Sequence, residues 1–329
     1  MMSIARTNPF EYVYKMCNRG GSRERLANLP DFPTHLDVEL TNACNFRCLM
    51  CPTGTGSSTR ARGFMSEQTF QLILDQAGPR KTPIRFVRWG EPTLHPHFVT
   101  WTRVLHDAGL LCHLNTNGLL FDEALIEALV SIPIDSIKLS FQGVDRSTYS
   151  EMRNRDFFDG LVKVLKRLHQ ARGERERPFL QVSTTITRET AEQVTRLREA
   201  VSPWCDAFNA GRTLLAHIDL NQVRLDPGER EVLDRLKMQE SLVKTHPECC
   251  EVFDKLSINW DGTVSACCAD YNNLMIAGNM RHESLEAIWK GPQMQKYREL
   301  LVDMRHDELP LCQNCYDTHG LLTPGIQGL

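Results

Sequence analysis

The chain has 329 residues, with 38 lysines and arginines against 41 aspartates and glutamates, for a net charge of −3. That balance offers no basic face to nucleic acid or to an acidic membrane, and no apolar run approaches the ~18 residues that a membrane-spanning helix needs. Met1 to Gly21 is polar and holds no signal-peptide core, so the twelve cysteines are expected in a reducing, cytoplasmic compartment, as metal ligands or reactive thiols before disulfides.

Residues 1–33 form a polar leader with one cysteine, Cys17, and their pattern fits either a short helix or an extended arm. From residue 34 onward, extended apolar segments alternate with helical ones. Strands are predicted at Leu36–Leu40, Ile84–Arg88, Leu111–Asn115, Ser136–Phe141, Leu180–Ile186 and Ala207–Gly211. Helices are predicted near 66–77, 97–108, 122–131, 145–171 and 189–201, with Ser66 and Asp122 as helix starts. Strands separated by such helices imply right-handed βαβ units and a parallel α/β sheet.

The alternation lapses after about residue 212. Asp226-Pro227-Gly228-Glu229 then reads as the start of a helix running to about Lys244, and a domain boundary is expected between 225 and 226. The chain thus divides into a leader (1–33), an α/β unit (34–225) and a smaller unit (226–329). In the last, Ser257–Val264 reads as a hairpin turning at Asp261-Gly262.

The chemistry starts directly after the first predicted strand, where Cys44, Cys48 and Cys51 fall at C-x3-C-x2-C. One loop carrying three thiolates covers one face of a cubic iron–sulfur cluster, which normally takes four cysteines, and leaves one iron open to a small molecule. A structural zinc is the alternative, because a second set follows downstream at Cys249, Cys250, Cys267, Cys268, Cys312 and Cys315.

The first motif resembles that of the radical S-adenosylmethionine (SAM) enzymes. The resemblance implies a partial (β/α)6 TIM-like barrel followed by a small α+β auxiliary-cluster domain of the twitch or SPASM type. It also implies a four-iron cluster on Cys44, Cys48 and Cys51 whose open iron holds SAM. SAM is then cleaved reductively to a 5′-deoxyadenosyl radical, with a reductant such as flavodoxin or ferredoxin. In such barrels the site lies at the C-terminal strand ends.

The remaining strand ends extend the resemblance. Arg88-Trp89-Gly90-Glu91-Pro92 is similar to the family's Gly-Gly-Glu-Pro segment, which implies Gly90 and Glu91 beside the SAM ammonium; Trp89 stands where the family has its first glycine. Asn117, in Asn115-Thr116-Asn117-Gly118, is implied to border SAM, though the same residues fit an Asx-type turn. Ser140, Gln142, Tyr149 and Arg153 resemble a Ser-Leu-Asp-Gly…Tyr-x-x-x-Arg pattern. This implies Ser140 and Arg153 at the SAM carboxylate and Gln142, in place of the usual acid, at the ribose. Met50 and Ile186 are implied adenine contacts, and both also fit an apolar core. Arg88, Asn209, Arg212 and His217 fall near strand ends, where substrate contacts and ordinary rim residues read alike.

The string Cys249/Cys250…Gly262-x4-Cys267…Cys312-x2-Cys315 resembles the family's accessory-cluster domain. It implies one auxiliary four-iron cluster on Cys249, Cys267, Cys312 and Cys315, with Cys249 preferred to Cys250 and Cys268 outside the set. An all-cysteine zinc site is the rival. Cys205 and Cys268 are candidate hydrogen donors. This cluster arrangement resembles that of the aminocyclitol dehydrogenase of butirosin biosynthesis. It implies hydrogen abstraction from a sugar, aminocyclitol or nucleoside-type small molecule, with dehydrogenation in natural-product biosynthesis as the first reading. The others are redox-neutral epimerisation, decarboxylation or carbon–carbon coupling, peptide maturation, and a non-catalytic iron–sulfur or zinc protein.

Overall fold

A computed structural model of the chain describes residues 5–17, 20–213, 215, 218–238, 242–244, 248–315 and 319–321. The leader contains two short helices, α1 (Glu11–Cys17) and α2 (Ser22–Ala27). Strand β1 (His35–Val38) follows, then the cysteine loop, a single turn α3 (Pro52–Thr55) and helix α4 (Glu67–Ala77). The α/β alternation continues with β2 (Ile84–Phe86), α5 (Phe98–Asp107), β3 (Cys112–Thr116), α6 (Glu123–Ser131) and β4 (Ser136–Ser140). Helices α7 (Arg146–Arg153) and α8 (Phe158–Arg172), strand β5 (Phe179–Ile186), helix α9 (Ala191–Val201) and strand β6 (Ala207–Arg212) complete it.

Local chemistry sets the boundaries. Ser66 and Asp122 accept hydrogen bonds from the backbones of Thr69 and Leu125, capping α4 and α6 as their types favour. Asp145 with Thr148, and Thr190 with Gln193, form reciprocal capping boxes. The single helix predicted over 145–171 is two helices in the structure. Asn154 adopts the left-handed conformation (φ 54°), which asparagine tolerates, and ends α7 immediately after Arg153.

Strands β1 to β6 pair in sequence order, all parallel, with Leu36 beside Ile84, Ile84 beside Cys112, Leu114 beside Ile137, Ile137 beside Leu180 and Val182 beside Phe208. This is a partial barrel. Because side chains alternate along a strand, Leu36, Phe86, Leu114, Ile137 and Val182 turn outward. Phe86 meets Phe98 of α5 edge-on at 6.1 Å, and Phe70 of α4 stacks on Trp101 at 4.2 Å. Each fully buried leucine or phenylalanine of this layer contributes about 1.5–3 kcal/mol. The inward faces are polar, and they define a lumen.

The remaining elements are α10 (Pro227–Met238), β7 (Leu242–Lys244), β8 (Lys255–Ile258), β9 (Thr263–Ser265), β10 (Ile276–Asn279), α11 (Leu285–Lys290), α12 (Pro292–Val302) and β11 (His319–Leu321). The hairpin read from Asp261-Gly262 is β8–β9, with Gly262 at φ 85°. It is not a separate sheet: β8 pairs parallel with β1, Leu36 beside Leu256. One sheet therefore runs β10-β9-β8-β1-β2-β3-β4-β5-β6 among the described residues, carrying the second unit on the first strand of the barrel.

Candidate active site

The loop after β1 brings Cys44, Cys48 and Cys51 together at the C-terminal end of the barrel, each within the field of another. Two glycines make the loop possible. A Cβ on Gly54 would come within 2.3 Å of the Cys48 carbonyl oxygen, and one on Gly90 within 1.9 Å of that of Thr41. Neither approach tolerates a side chain. The Glu91 N–H donates to the Ala43 carbonyl at 2.9 Å, so the β2 end and the cysteine loop are one unit.

Burial raises the Cys44 thiol to about 12, and the neighbouring Cys48, Glu91 and Cys51 charges add to that. Three donors nevertheless aim at the sulfurs. Phe46 N lies 3.5 Å and Asn117 Nδ2 3.8 Å from Cys44 Sγ, and Arg153 Nη1 lies 3.5 Å from Cys48 Sγ. Convergent buried thiols with N–H groups directed at them fit iron–sulfur ligation, because such bonds compensate the charge of coordinated thiolates and set cluster potential. When bound, a cluster there supplies the electron that cleaves SAM.

The residues implied to hold SAM divide in two. Arg153 is buried, donates to the Ser140 carbonyl and lies over the Phe46 and Tyr149 rings at 6.0 and 5.8 Å, so it joins the β4 end to the cysteine loop. Asn117 also donates to Asn45 Oδ1 at 2.7 Å. Glu91 is bonded to the neighbouring strand end. Its carboxylate accepts from Thr93 N and Oγ1, Thr116 Oγ1 and Asn117 N at 2.7–3.2 Å. Three of these bonds fall on Oε1 and one on Oε2, so Glu91 ties the β2 end to the β3 end while Oε2 keeps an acceptor position.

Gln142 is similarly engaged, donating to Thr213 Oγ1 at 2.8 Å and accepting from Thr185. It clasps β4, β5 and the end of β6. Ile186 is buried in the main core, and Met50 packs between that core and a second apolar cluster of Leu49, Met152, Leu215, Ile218, Leu233 and Leu236. The Trp89 ring meets Tyr271 edge-on at 5.6 Å. It lines a cavity of about 280 Å³ that also touches Asn272 and Cys315.

Cys205 requires correction as a hydrogen donor. It lies just before β6, at the N-terminal end of the strand, whereas the cysteine loop is at the C-terminal ends. Burial beside Asp206 raises its thiol to about 11. Cys268 is placed differently: its thiol contacts Glu251 Oε2 at 3.3 Å inside the lumen, and Glu251, Cys267 and Cys268 have ligand atoms within 4.8 Å of one another. A hydrogen bond from Cys267 and the Lys255 ammonium hold Cys268 below the usual thiol range, against burial.

In the second set, Cys249 lies in the field of Cys312 and Cys315, and burial raises it well above the ordinary range. Cys250 instead faces Arg25 and Asp254. Cys312 is raised to about 12 by burial and by Cys315. Cys267 is half-buried, with Ala269 N directed at its sulfur from 3.4 Å. His217 lies outside the described residues.

Two features escaped the sequence. Arg88, one rim residue among several, donates to the Cys267 carbonyl, Asn259 Oδ1 and the Asp270 carbonyl. Below it, the lumen holds a charge network: Asp37 with Arg85 at 2.9 Å and Lys255 at 3.5 Å, and Lys255 with Glu251 at 2.5 Å. Polar alternation in β1 and β2 was the available signal, but partners across a barrel are invisible in a linear pattern.

A profile described as the Radical SAM superfamily matches residues 38–201, and one described as an iron-sulfur cluster-binding domain, SPASM, matches residues 249–316. The chain is 25% identical over 313 residues to the tungsten-containing aldehyde ferredoxin oxidoreductase cofactor-modifying protein of Pyrococcus furiosus, covering 85% of this chain and 86% of that one. Its fold is shared with the crystal structure of BtrN in complex with AdoMet and 2-DOIA, at a TM-score of 0.55 and 15% identity over 86% of this chain and 92% of that one. It is also shared with Streptococcus suis SuiB bound to precursor peptide SuiA, at a TM-score of 0.63 and 16% identity over 89% and 72%.

Proposed function

This chain belongs to the radical SAM superfamily and carries a SPASM iron–sulfur domain, and from that premise we propose that it generates a 5′-deoxyadenosyl radical from SAM to abstract hydrogen from a small polar substrate of sugar, aminocyclitol or nucleoside type. It is an enzyme whose cofactors are a four-iron cluster with SAM and an auxiliary iron–sulfur cluster. Dehydrogenation within natural-product biosynthesis is the outcome we favour, in the cytoplasm, with flavodoxin or ferredoxin as reductant. No helix among the described residues is long and apolar enough to cross a membrane.

The lumen supports the substrate class. Asn115, Lys138, Ser140, Ser183 and Thr185 occupy partly open positions on successive strands, a lining that hydrogen-bonds a hydroxylated molecule. The chain's own residues assemble the site: Arg153 and Asn117 hold the cysteine sulfurs, Glu91 and Gln142 lock the strand ends, and Arg88 fixes the auxiliary loop. Cys268, next to the auxiliary ligand candidate Cys267, lies in the field of the lumen charges, and an oxidised product's second electron would leave on that side.

Anaerobic reconstitution followed by dithionite reduction is the first test, and 5′-deoxyadenosine should form from SAM. Its absence with both clusters loaded rules out the reading. With substrate, dehydrogenation consumes SAM one-for-one with a carbonyl product, whereas epimerisation or coupling gives none.

Peptide maturation is the second reading, favoured by the likeness to SuiB with its precursor peptide bound. Hydrogen abstraction from a short precursor peptide, and from none of the small polar molecules, would select it.

A further inference from the structure

We infer that Lys138 is the contact for an anionic group of the substrate, a carboxylate or a phosphate, bound in the barrel lumen. The inference rests on the small-polar-substrate reading above and narrows it to acids.

Lys138 lies on β4 between Ile137 and Leu139, which are buried in the outer core, so its own side chain points inward. Its charge is felt by His113, and it in turn feels Arg85, Asp37, Cys268 and Lys255. Those groups belong to β1, β2, β3, β8 and the loop after β9, and a β4 side chain reaches those on the far wall only across the lumen. The other lumen cations are matched: Arg85 pairs with Asp37, and Lys255 with Glu251 and Asp37. Lys138 alone among these three has no hydrogen bond or ion pair within the described residues. Its Nζ is not sealed off, since it is absent from the fully buried polar atoms without partners.

An ammonium withdrawn from water and left unpaired is costly. Burial, reinforced by Arg85, lowers Lys138 to about 8, so at neutral pH it is still mostly a cation lacking an anion. Its position suits a substrate. Ser140, two residues and ~7 Å further along the strand, is where Arg153 reaches the cysteine loop. An anion on Lys138 would therefore sit one layer beneath the SAM end, with the rest of the molecule rising toward it.

The test uses SAM-saturated holoenzyme, in which SAM's own carboxylate is already placed, titrated anaerobically with inorganic phosphate or acetate while melting is followed. Wild type should be stabilised by one of them. A response to phosphate alone assigns a phosphoryl group, and a response to acetate alone a carboxylate. Lys138→Gln and Lys138→Met should bind the same anion at least about tenfold more weakly, and Lys138→Arg should retain it. Lys138→Met should also begin roughly 2–4 °C more stable, because it removes a half-buried charge that has no ion-pair partner among the described residues. No anion response in wild type, equal responses in all variants, or a destabilised Lys138→Met would overturn the inference. Failure of SAM cleavage in wild type would instead remove the reading on which it rests.

Discussion

The guanidinium of Arg88 donates to the backbone carbonyl of Cys267 across 2.9 Å, joining the end of the second barrel strand to the auxiliary cysteine loop. The same group reaches Asn259 Oδ1 at 2.6 Å and the Asp270 carbonyl at 3.0 Å, while its Nε lies 3.9 Å from the buried Glu39. A side chain whose exposure is 1% thus joins the two cysteine sites, alongside the pairing of β8 with β1.

Arg88→Met leaves two carbonyls and an amide oxygen without their donor in a buried site. The expected loss is roughly 3–5 kcal/mol of stability. Iron content after reconstitution should fall toward that of the first cluster alone, with Arg88→Lys intermediate. Full iron content in the methionine variant would show that the auxiliary loop holds itself.

Arg153 donates to the Cys48 sulfur at 3.5 Å. A positive donor at a thiolate favours the reduced, more negative cluster. Arg153→Met should therefore lower the reduction potential of the first cluster and slow 5′-deoxyadenosine formation. Redox titration monitored by electron paramagnetic resonance checks the direction, and a potential that rises or stays fixed contradicts the assignment.

Gly54 and Gly90 are required by contacts rather than by turns. Alanine at either would place a methyl group 2.3 Å and 1.9 Å from backbone oxygens that cannot move without shifting the cysteine loop. A cost of about 1–3 kcal/mol or more is expected, with loss of the first cluster's absorbance on reconstitution while the auxiliary cluster persists.

Cys249→Ser should remove the auxiliary cluster's iron, and Cys250→Ser should leave it in place. Cys249 shares the field of Cys312 and Cys315, whereas Cys250 faces Arg25 and Asp254. Mössbauer spectra of the two variants decide between them.

Acid should destabilise this fold early. Burial, with the charges of Arg85 and Lys255 adding to it, lowers His35 from 6.5 to about 3. The folded state keeps His35 neutral while the unfolded chain protonates it, so its contribution is complete above pH 6.5 and is lost as pH falls from 6.5 toward 3. At pH 5 the loss is roughly 2 kcal/mol. Melting temperatures at pH 7 and 5 measure it, and His35→Asn should flatten the slope; an unchanged slope removes His35 as the cause.

The sequence by itself determined the α/β order, all six barrel strands, the helix starts at Ser66 and Asp122, and the cysteine sets. Each is a local matter: strand and helix periods, caps and ligand spacings are written within a few residues of one another. Tertiary structure alone decided what the polar residues face. Glu91 accepts from Thr93, Thr116 and Asn117, and Arg153, at the last position of its helix, reaches the Cys48 sulfur and the Ser140 carbonyl. Arg88 reaches a loop some 180 residues later, and Lys138 looks across the lumen at charges from three other strands. Closing the sheet into a barrel sets these partners, because curvature brings together strand positions that no linear spacing relates.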